Sequence, residues 1–464
     1  MLSRLLRSVP AVWVGWVVAR LLSVWFIKLE DNPLGDVYYY HFGIYGDDPS
    51  AMTEYPWLGQ LPSALLARLV GPDFHVYWVA FPIMILVLDA SFMALVLRRH
   101  PETKSAIDAA WLWVFFGTAA GQVFLLRLDL FPALVVAAAG YFLFKHPALS
   151  GAMVAIATAM KLWPGVLAAG IVGRASHGRT WSVLAAFVGT GAAVIAATIA
   201  FAGVDRLTSP LDYQEVRGLQ IESVAATPFV YRNFFDLGTW KLAYAPSKSF
   251  EITGPGVETA TQIATFAMAA VILFGLGWAL YRFIRGGWTP ESTLAFFVLM
   301  VLLLIVTNKV FSTQYITWLG PLLVVAVARG GWPTAQRALL WTLAVFAVVC
   351  AGLGTFVYPF NYEAIYSPDG TQFLPVAALA LRNVLVVLMA LVAAVWFVLA
   401  CRHPRSGAVS VTPAAGTPGV APTATTPSDM PAVAVPLSTS TAGADPQLGQ
   451  RAESQPHSTS SSEM

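Results

Sequence analysis

Apolar runs separated by short polar loops occupy the chain from residue 9 to residue 400. A helix needs about 20 apolar residues to cross the hydrocarbon core of a bilayer, so the pattern predicts an all-α, polytopic membrane protein with about twelve spans. Several runs are shorter than this, and those between 130 and 173 are predicted to be partial spans buried among longer helices. The predicted spans are 9–27, 75–97, 109–126, 130–144, 148–160, 162–173, 181–202, 257–281, 291–308, 312–328, 337–353 and 375–400.

The first run follows Arg4 and Arg7, as in a signal peptide. Arg20 interrupts the run, however, and no small-residue cleavage site follows it. We therefore predict an uncleaved first helix.

Basic residues occur on alternate loops, which indicates the orientation in the membrane. Cytoplasmic loops carry an excess of Lys and Arg, so both termini are predicted to be cytoplasmic in a multi-pass protein of the plasma membrane. The acidic loops 28–74, 203–256 and 354–374 are then extracytoplasmic. The basic positions are Arg4, Arg7, Arg98, Arg99, Lys104, Lys145, Arg174, Arg179, Arg282, Arg285, Arg329, Arg337, Arg402 and Arg405.

Composition supports the same class of protein. Only 11% of the residues are charged, against about 25% in soluble domains, and the mean hydropathy is +0.67. The 27 basic and 25 acidic residues nearly balance, which argues against a nucleic-acid partner. Residues 1–403 form the predicted transmembrane domain. Residues 404–464 are rich in Pro, Ser, Thr and Ala and contain no aromatic residue, so they are predicted to be a disordered cytoplasmic tail.

The first external loop carries the most unusual stretch, "GDVYYYHFGIYGDDPSAMTEYPW" at 35–57. An aromatic belt at the membrane interface explains Tyr38–Tyr40, Tyr55 and Trp57. Tyr55 is also a candidate residue of the sugar site, because aromatic rings offer flat faces to a sugar. The belt does not explain Asp36, which lies about nine residues beyond the first predicted span and is a candidate catalytic base. Glu54 is the rival carboxylate, with helix capping as its alternative role.

Two further clusters lie at predicted outer turns. In "LLRLDLFPAL", Arg127 and Asp129 are candidate site residues. Alternatively, Asp129 caps the next helix and Arg127 extends towards the membrane surface. In "ATAMKLWPG", Lys161 is either an interface anchor or a cation that points inward.

The long outer loop and a late turn supply the remaining candidates. In "DYQEVRGLQIESVAATP", the apolar residues from 216 to 224 fit a helix lying on the membrane, and Arg217 and Gln220 would share one face of it. Such a pair suits an anionic head group. In "TNKVFSTQYITWLGPL", Ser312 is a candidate N-cap, and the other candidate site residues are Lys309, Gln314 and Tyr315.

The candidate carboxylates and cations at the predicted outer turns suit one type of reaction. Cations stabilise a phosphate leaving group, and one carboxylate can deprotonate an attacking hydroxyl, so the cluster fits sugar transfer with inversion. No D-x-D motif occurs, and the loop 203–256 is too short for a nucleotide-binding domain. The expected donor is therefore a lipid-linked sugar, used without a metal or another cofactor.

The quoted motifs, with "RGLQIES" and above all "NKVFSTQYITWLGPL", resemble those of the polyprenol-phosphate-mannose-dependent mannosyltransferases of glycosyltransferase family 87, in the GT-C superfamily. The resemblance covers residues from about 10 to 400. It implies a GT-C-type helical bundle with structured extracytoplasmic loops, a glycolipid acceptor as in phosphatidylinositol mannoside and lipomannan synthesis, and Asp36 as the base. The chain has Thr313 where the family usually has proline.

A transporter or flippase of lipid-linked sugars is the alternative function. Such a protein would place polar residues along a path through the membrane, often between inverted repeats, and no internal repeat is evident. Only Arg20 and Asp89 are predicted to lie deep, and a structural ion pair between them is expected.

Overall fold

The computed structural model describes residues 7–46, 48, 51–98, 104–215, 217–367 and 372–402. Helices make up nearly all of this regular structure, which confirms an all-α protein of membrane type. Arg4, Arg99, Arg405 and the predicted tail at 404–464 lie outside the described residues.

The helices and strands follow one another in a simple order. The first helices are α1 (Val9–Leu29), α2 (Leu34–Tyr45), α3 (Trp57–Val70), α4 (Phe74–Arg98), α5 (Lys104–Ala119), α6 (Gly121–Leu125), α7 (Leu130–Phe142), α8 (Pro147–Met160), a 3₁₀ helix (Trp163–Leu167) and α9 (Ala168–Ile171). The middle of the chain contains α10 (Gly178–Ala202), α11 (Asp205–Glu215), α12 (Thr227–Asn233), β1 (Lys241–Tyr244) and β2 (Phe250–Thr253). The last elements are α13 (Val257–Arg285), α14 (Pro290–Thr307), a 3₁₀ helix (Thr313–Trp318), α15 (Gly320–Arg329), α16 (Thr334–Val357), α17 (Glu363–Tyr366) and α18 (Phe373–Arg402).

Seven of these helices are long and apolar enough to cross a membrane: α1, α4, α10, α13, α14, α16 and α18. They match seven of the twelve predicted spans. Of an 18-residue apolar stretch of α14, 78% is buried inside the protein, whereas the buried share of the corresponding stretch of α10 is only 11%. Helix α14 therefore belongs to the centre of the bundle, and α10 presents its apolar side chains to the surroundings.

The other five predicted spans are short or broken helices. Helices α7 and α8 have 13 and 14 residues, and the predicted spans 162–173 and 312–328 each combine a 3₁₀ helix with a short α-helix. The predicted span 109–126 breaks between α5 and α6 at Gly121, whose φ of +59° is unfavourable for other residues. A Cβ at Gly121 would also collide with the side chain of Thr355.

Contacts bring several basic loops together at one end of the bundle. The N–H of Ala175 donates to the carbonyl of Phe283, Arg282 donates to the Sγ of Cys401, and Arg329 pairs with Glu291. Helices α10, α13, α14, α16 and α18 each have one terminus in these loops, so their other termini lie at the opposite end. That the basic end faces the cytoplasm stays a prediction.

The opposite end has its own small apolar core, which orders the loops there. The strands β1 and β2 form an antiparallel hairpin in which Leu242 is opposite Ile252. Buried side chains of the long loop, β2, α13, α16, α17 and α18 pack together, namely Leu219, Ile221, Ala226, Val230, Ile252, Val257, Val357, Ile365, Val376 and Leu379. The predicted structured loops are thus present.

The deep ion pair expected between Arg20 and Asp89 is confirmed. Arg20 Nε lies 2.6 Å from Asp89 Oδ2, and the indole N–H groups of Trp16 and Trp113 donate to the same carboxylate at 2.8 and 2.6 Å. Both charges are buried and well bonded, so the pair is a structural bridge that fastens α1 to α4.

The orientation can be tested with single cysteines in a Cys350→Ala, Cys401→Ala background. Asp236→Cys lies in the long loop after α12 and Ser176→Cys in a basic loop, and both positions are exposed. In intact cells, a membrane-impermeant maleimide should label only Asp236→Cys, with Ser176→Cys labelled after permeabilisation. The reverse pattern would place Asp36 in the cytoplasm and contradict the positive-inside prediction.

Candidate functional site

A polar cleft opens at the end of the bundle opposite the basic loops. Its volume is about 1080 Å³, slightly above the range of about 300–1000 Å³ typical of small-molecule sites. Nine of the predicted site residues line it: Asp36, Glu54, Tyr55, Arg127, Lys161, Arg217, Gln220, Gln314 and Tyr315. Sequence positions far apart therefore do converge on one site.

Asp36 lies in the first turn of α2, at the wall of the cleft. Its Oδ2 is 2.5 Å from Nη2 of Arg127, and its side chain is 37% exposed. Enclosure by the cleft raises the pKa of Asp36, and the positive charge of Arg127 opposes that rise. A carboxylate with a raised pKa is a better proton acceptor than one in water.

Arg127 is fixed from three sides. Its Nη1 donates to the carbonyls of Pro33 and Leu126 at 2.9 and 3.2 Å, and its Nη2 donates to the hydroxyl of Tyr358 at 3.2 Å. The side chain is 4% exposed, so the alternative in which Arg127 extends to the membrane surface is wrong. Arg127 instead holds Asp36 in position.

Asp129 and Lys161 form a second ion pair, in which Lys161 lines the cleft and Asp129 is buried behind it. Lys161 Nζ donates to Asp129 Oδ1 at 2.6 Å, and the indole N–H of Trp318 donates to the same oxygen at 2.7 Å. Asp129 makes no side-chain cap on α7, so its predicted capping alternative is wrong. Lys161 points inward and lies 5.4 Å from the ring centroids of Tyr55 and Tyr315, so it is not an interface anchor.

Glu54 occupies a different part of the cleft from Asp36. Its Oε2 accepts a hydrogen bond from the Tyr39 hydroxyl at 2.9 Å, and burial raises the pKa of Glu54. It makes no side-chain cap on α3, contrary to the capping alternative. The hydrogen bond from Tyr39 and the positive charges of Lys248 and Arg217 oppose that rise in pKa.

Arg217 and Gln220 do not share a helix face, which corrects the sequence interpretation. Helix α11 ends at Glu215, residues 217–219 belong to no helix or strand, and Gln220 forms an isolated bridge with Glu251. The spacing of the apolar residues reflects burial in the small core, because Leu219 and Ile221 are almost fully enclosed. Val216 lies outside the described residues.

The side chain of Gln220 instead stabilises the turn at Phe311 and Ser312, just before the second 3₁₀ helix. Its Oε1 accepts from the N–H of Phe311 at 2.7 Å, and its Nε2 donates to the hydroxyl of Ser312 at 3.2 Å. Ser312 makes no side-chain cap, contrary to that alternative. Lys309 does not line the cleft, and its carbonyl accepts from the backbone of Gln220, so its predicted place in the cleft is wrong.

One buried pair at the cleft was missed in the sequence. Arg382 Nη1 donates to Glu222 Oε2 at 2.7 Å, and its Nη2 donates to the Glu222 carbonyl at 2.8 Å. Asn383 donates to the same carbonyl, and Thr313 donates to the carboxylate at 3.2 Å. In the sequence, the adjacent polar residues Arg382 and Asn383 interrupt the apolar run of α18, and this interruption was the signal that could have revealed a buried polar contact.

The cleft thus combines carboxylates, cations and tyrosines. Within the residues described, no group of three or more His, Cys, Asp or Glu side chains is arranged to hold a metal ion. The cleft residues missed in the sequence include Tyr39, Tyr213, Glu222, Tyr244, Lys248 and the segment from Tyr358 to Ser367 apart from Ile365.

Comparison of the chain with family models, curated proteins and solved structures finds no match in any of the three. Its function is therefore inferred from the sequence motifs and from the geometry of the cleft.

The buried pair of Arg382 and Glu222 leads to a prediction about stability. Arg382→Met leaves Glu222 as an uncompensated buried charge, so the apparent free energy of unfolding in detergent should fall by about 3–5 kcal/mol. Arg329→Met is the matched control, because Arg329 is 36% exposed and pairs with Glu291 at 3.4 Å. It should cost about 1 kcal/mol or less. Equal losses in the two variants would contradict an anchoring role for Arg382.

Proposed function

We propose that this protein is an α-mannosyltransferase of the GT-C type. It transfers mannose from polyprenyl-phosphate mannose to a lipid-linked glycan acceptor, at the extracytoplasmic face of the plasma membrane. The observation that carries the proposal is the Asp36 carboxylate, oriented by Arg127 in a cleft with further cations. The resemblance of the cleft motifs to family 87 mannosyltransferases supports the choice of sugar and donor.

The chemistry requires one base and a stabilised leaving group. Asp36 accepts the proton of the acceptor hydroxyl as that oxygen attacks C1 of the mannosyl group. The bond between C1 and the phosphate oxygen breaks, and its electron pair leaves with polyprenyl phosphate. A single displacement of this kind inverts the configuration at C1.

Arg217 is the best candidate for the donor phosphate. Arg127 and Lys161 are each paired with a carboxylate. Among the side chains that the structure describes, Arg217 has no such ion pair, and its guanidinium lies over the Tyr213 ring at 4.8 Å. A guanidinium can bind a phosphate through two parallel hydrogen bonds and thus stabilise the charge that develops on it.

The position of the cleft fits substrates anchored in lipid. The cleft lies where the chain turns between apolar helices, so head groups of a donor and an acceptor in the same leaflet can meet there. A flippase would need a polar path through the bundle. The deep pair of Arg20 and Asp89 is instead buried and bonded to tryptophans, which favours a transferase.

Purified protein should transfer mannose from polyprenyl-phosphate mannose, and Asp36→Asn should lose about 10²- to 10⁴-fold in kcat while it still binds donor. The amide keeps the size of the side chain and removes the base. Glu54→Gln is the matched control and should keep most activity, because its carboxylate already accepts from Tyr39. Normal turnover by Asp36→Asn with loss in Glu54→Gln would assign the base to Glu54.

The same purified protein tests the identity of the donor. Transfer from a nucleotide sugar, or loss of activity on chelation, would contradict the donor assignment.

Arg217→Ala should raise the KM for the donor by about 10- to 100-fold, the equivalent of one charged hydrogen bond. Arg232→Ala is the control, because Arg232 is exposed on α12 and does not line the cleft. Donor titrations of both variants provide the measurement. If the two variants have the same donor KM as the unmodified protein, Arg217 is not a phosphate ligand.

A further inference from the structure

One wall of the cleft has no part in the proton transfer or the phosphate binding. Every residue from Tyr358 to Ser367 lines the cleft except Ile365, which is buried in the small core of the loops. Ile365 thereby anchors the segment from behind, while its neighbours face the open volume.

Three tyrosines of this segment form a row, here called the tyrosine ladder. The ring centroids of Tyr358 and Tyr362 are 5.1 Å apart, and those of Tyr362 and Tyr366 are 5.7 Å apart. Phe250 of β2 stacks on Tyr366 at 3.9 Å, so the hairpin supports the far end of the row.

The near end of the ladder is joined to the proposed base. The guanidinium of Arg127 donates to the Tyr358 hydroxyl at 3.2 Å and also holds Asp36. A substrate hydroxyl that reaches Asp36 therefore lies beside the first tyrosine. At the far end, the Tyr366 hydroxyl has no hydrogen-bond partner within the described part of the chain.

A row of aromatic residues is more often core packing or a membrane belt, but this row borders a polar cleft. Asn361 and the exposed Glu363 lie in the same segment and supply hydrogen-bonding groups beside the rings. Flat apolar faces with polar tips suit the C–H surfaces and hydroxyls of a carbohydrate.

We infer that the tyrosine ladder is the binding platform for the acceptor glycan. The sugar that carries the attacked hydroxyl lies at Asp36, and the next sugar lies along the ladder towards Tyr366. The preferred acceptor is therefore a glycan of at least two sugar units. This inference rests on the proposed mannosyltransferase function.

The test uses octyl α-mannoside and octyl dimannoside as synthetic acceptors. The unmodified protein should have a kcat/KM about tenfold higher for the dimannoside, and Tyr366→Ala should remove most of that advantage through the KM for the acceptor. Tyr366→Phe keeps the ring and should retain the preference. Tyr231→Ala, which removes a partly exposed tyrosine outside the cleft, should behave as the unmodified protein.

Equal use of the two acceptors by the unmodified protein would overturn the inference, as would a full dimannoside preference in Tyr366→Ala. Calorimetric titration of octyl dimannoside separates this inference from the proposed function. If no mannose is transferred but Tyr366→Ala weakens dimannoside binding relative to Tyr231→Ala, the platform stands and the transferase proposal fails. If binding does not depend on Tyr366, the platform is wrong whatever the enzyme activity.

Discussion

A charged side chain that leaves water for the interior of a helical bundle must keep a partner of opposite sign, because the lost hydration costs several kcal/mol. Among the described residues, four ion pairs in which at least one side chain is less than 5% exposed meet this constraint. Each joins segments that are distant in the sequence: Arg20 with Asp89, Arg127 with Asp36, Lys161 with Asp129, and Arg382 with Glu222. Three of the four border the cleft, so the charges that give the site its chemistry also hold its walls together.

Arg127 shows how closely these two roles are joined. Its guanidinium contacts the turn between α1 and α2 through Pro33, the proposed base through Asp36, and the end of α16 through Tyr358. A carboxylate held in this way has little freedom to reorient, and preorganised groups lose less entropy when a substrate arrives. The cleft is thus built before any ligand binds.

The helical class and the clustering of polar groups followed from the sequence, because apolar runs and basic loops are local features. The Arg20–Asp89 pair was predicted because only these two charged residues were expected to lie deep within apolar runs. The partner of Arg382 was not predicted, since Glu222 is 160 positions away and belonged to a segment interpreted as a surface helix. That interpretation failed at Leu219 and Ile221, because spacing along the chain does not distinguish a membrane-facing stripe from burial in a small core.

The pair of Arg20 and Asp89 also has a consequence for biosynthesis. Helix α1 is synthesised first, and the partner of its arginine follows 69 residues later in α4. Until then an unpaired arginine within the membrane carries a penalty of about 2.5–3.5 kcal/mol, on the scale measured for insertion by the translocon. We therefore expect helix α1 to remain beside the insertion machinery until α4 emerges, so that the two helices enter the lipid as a unit.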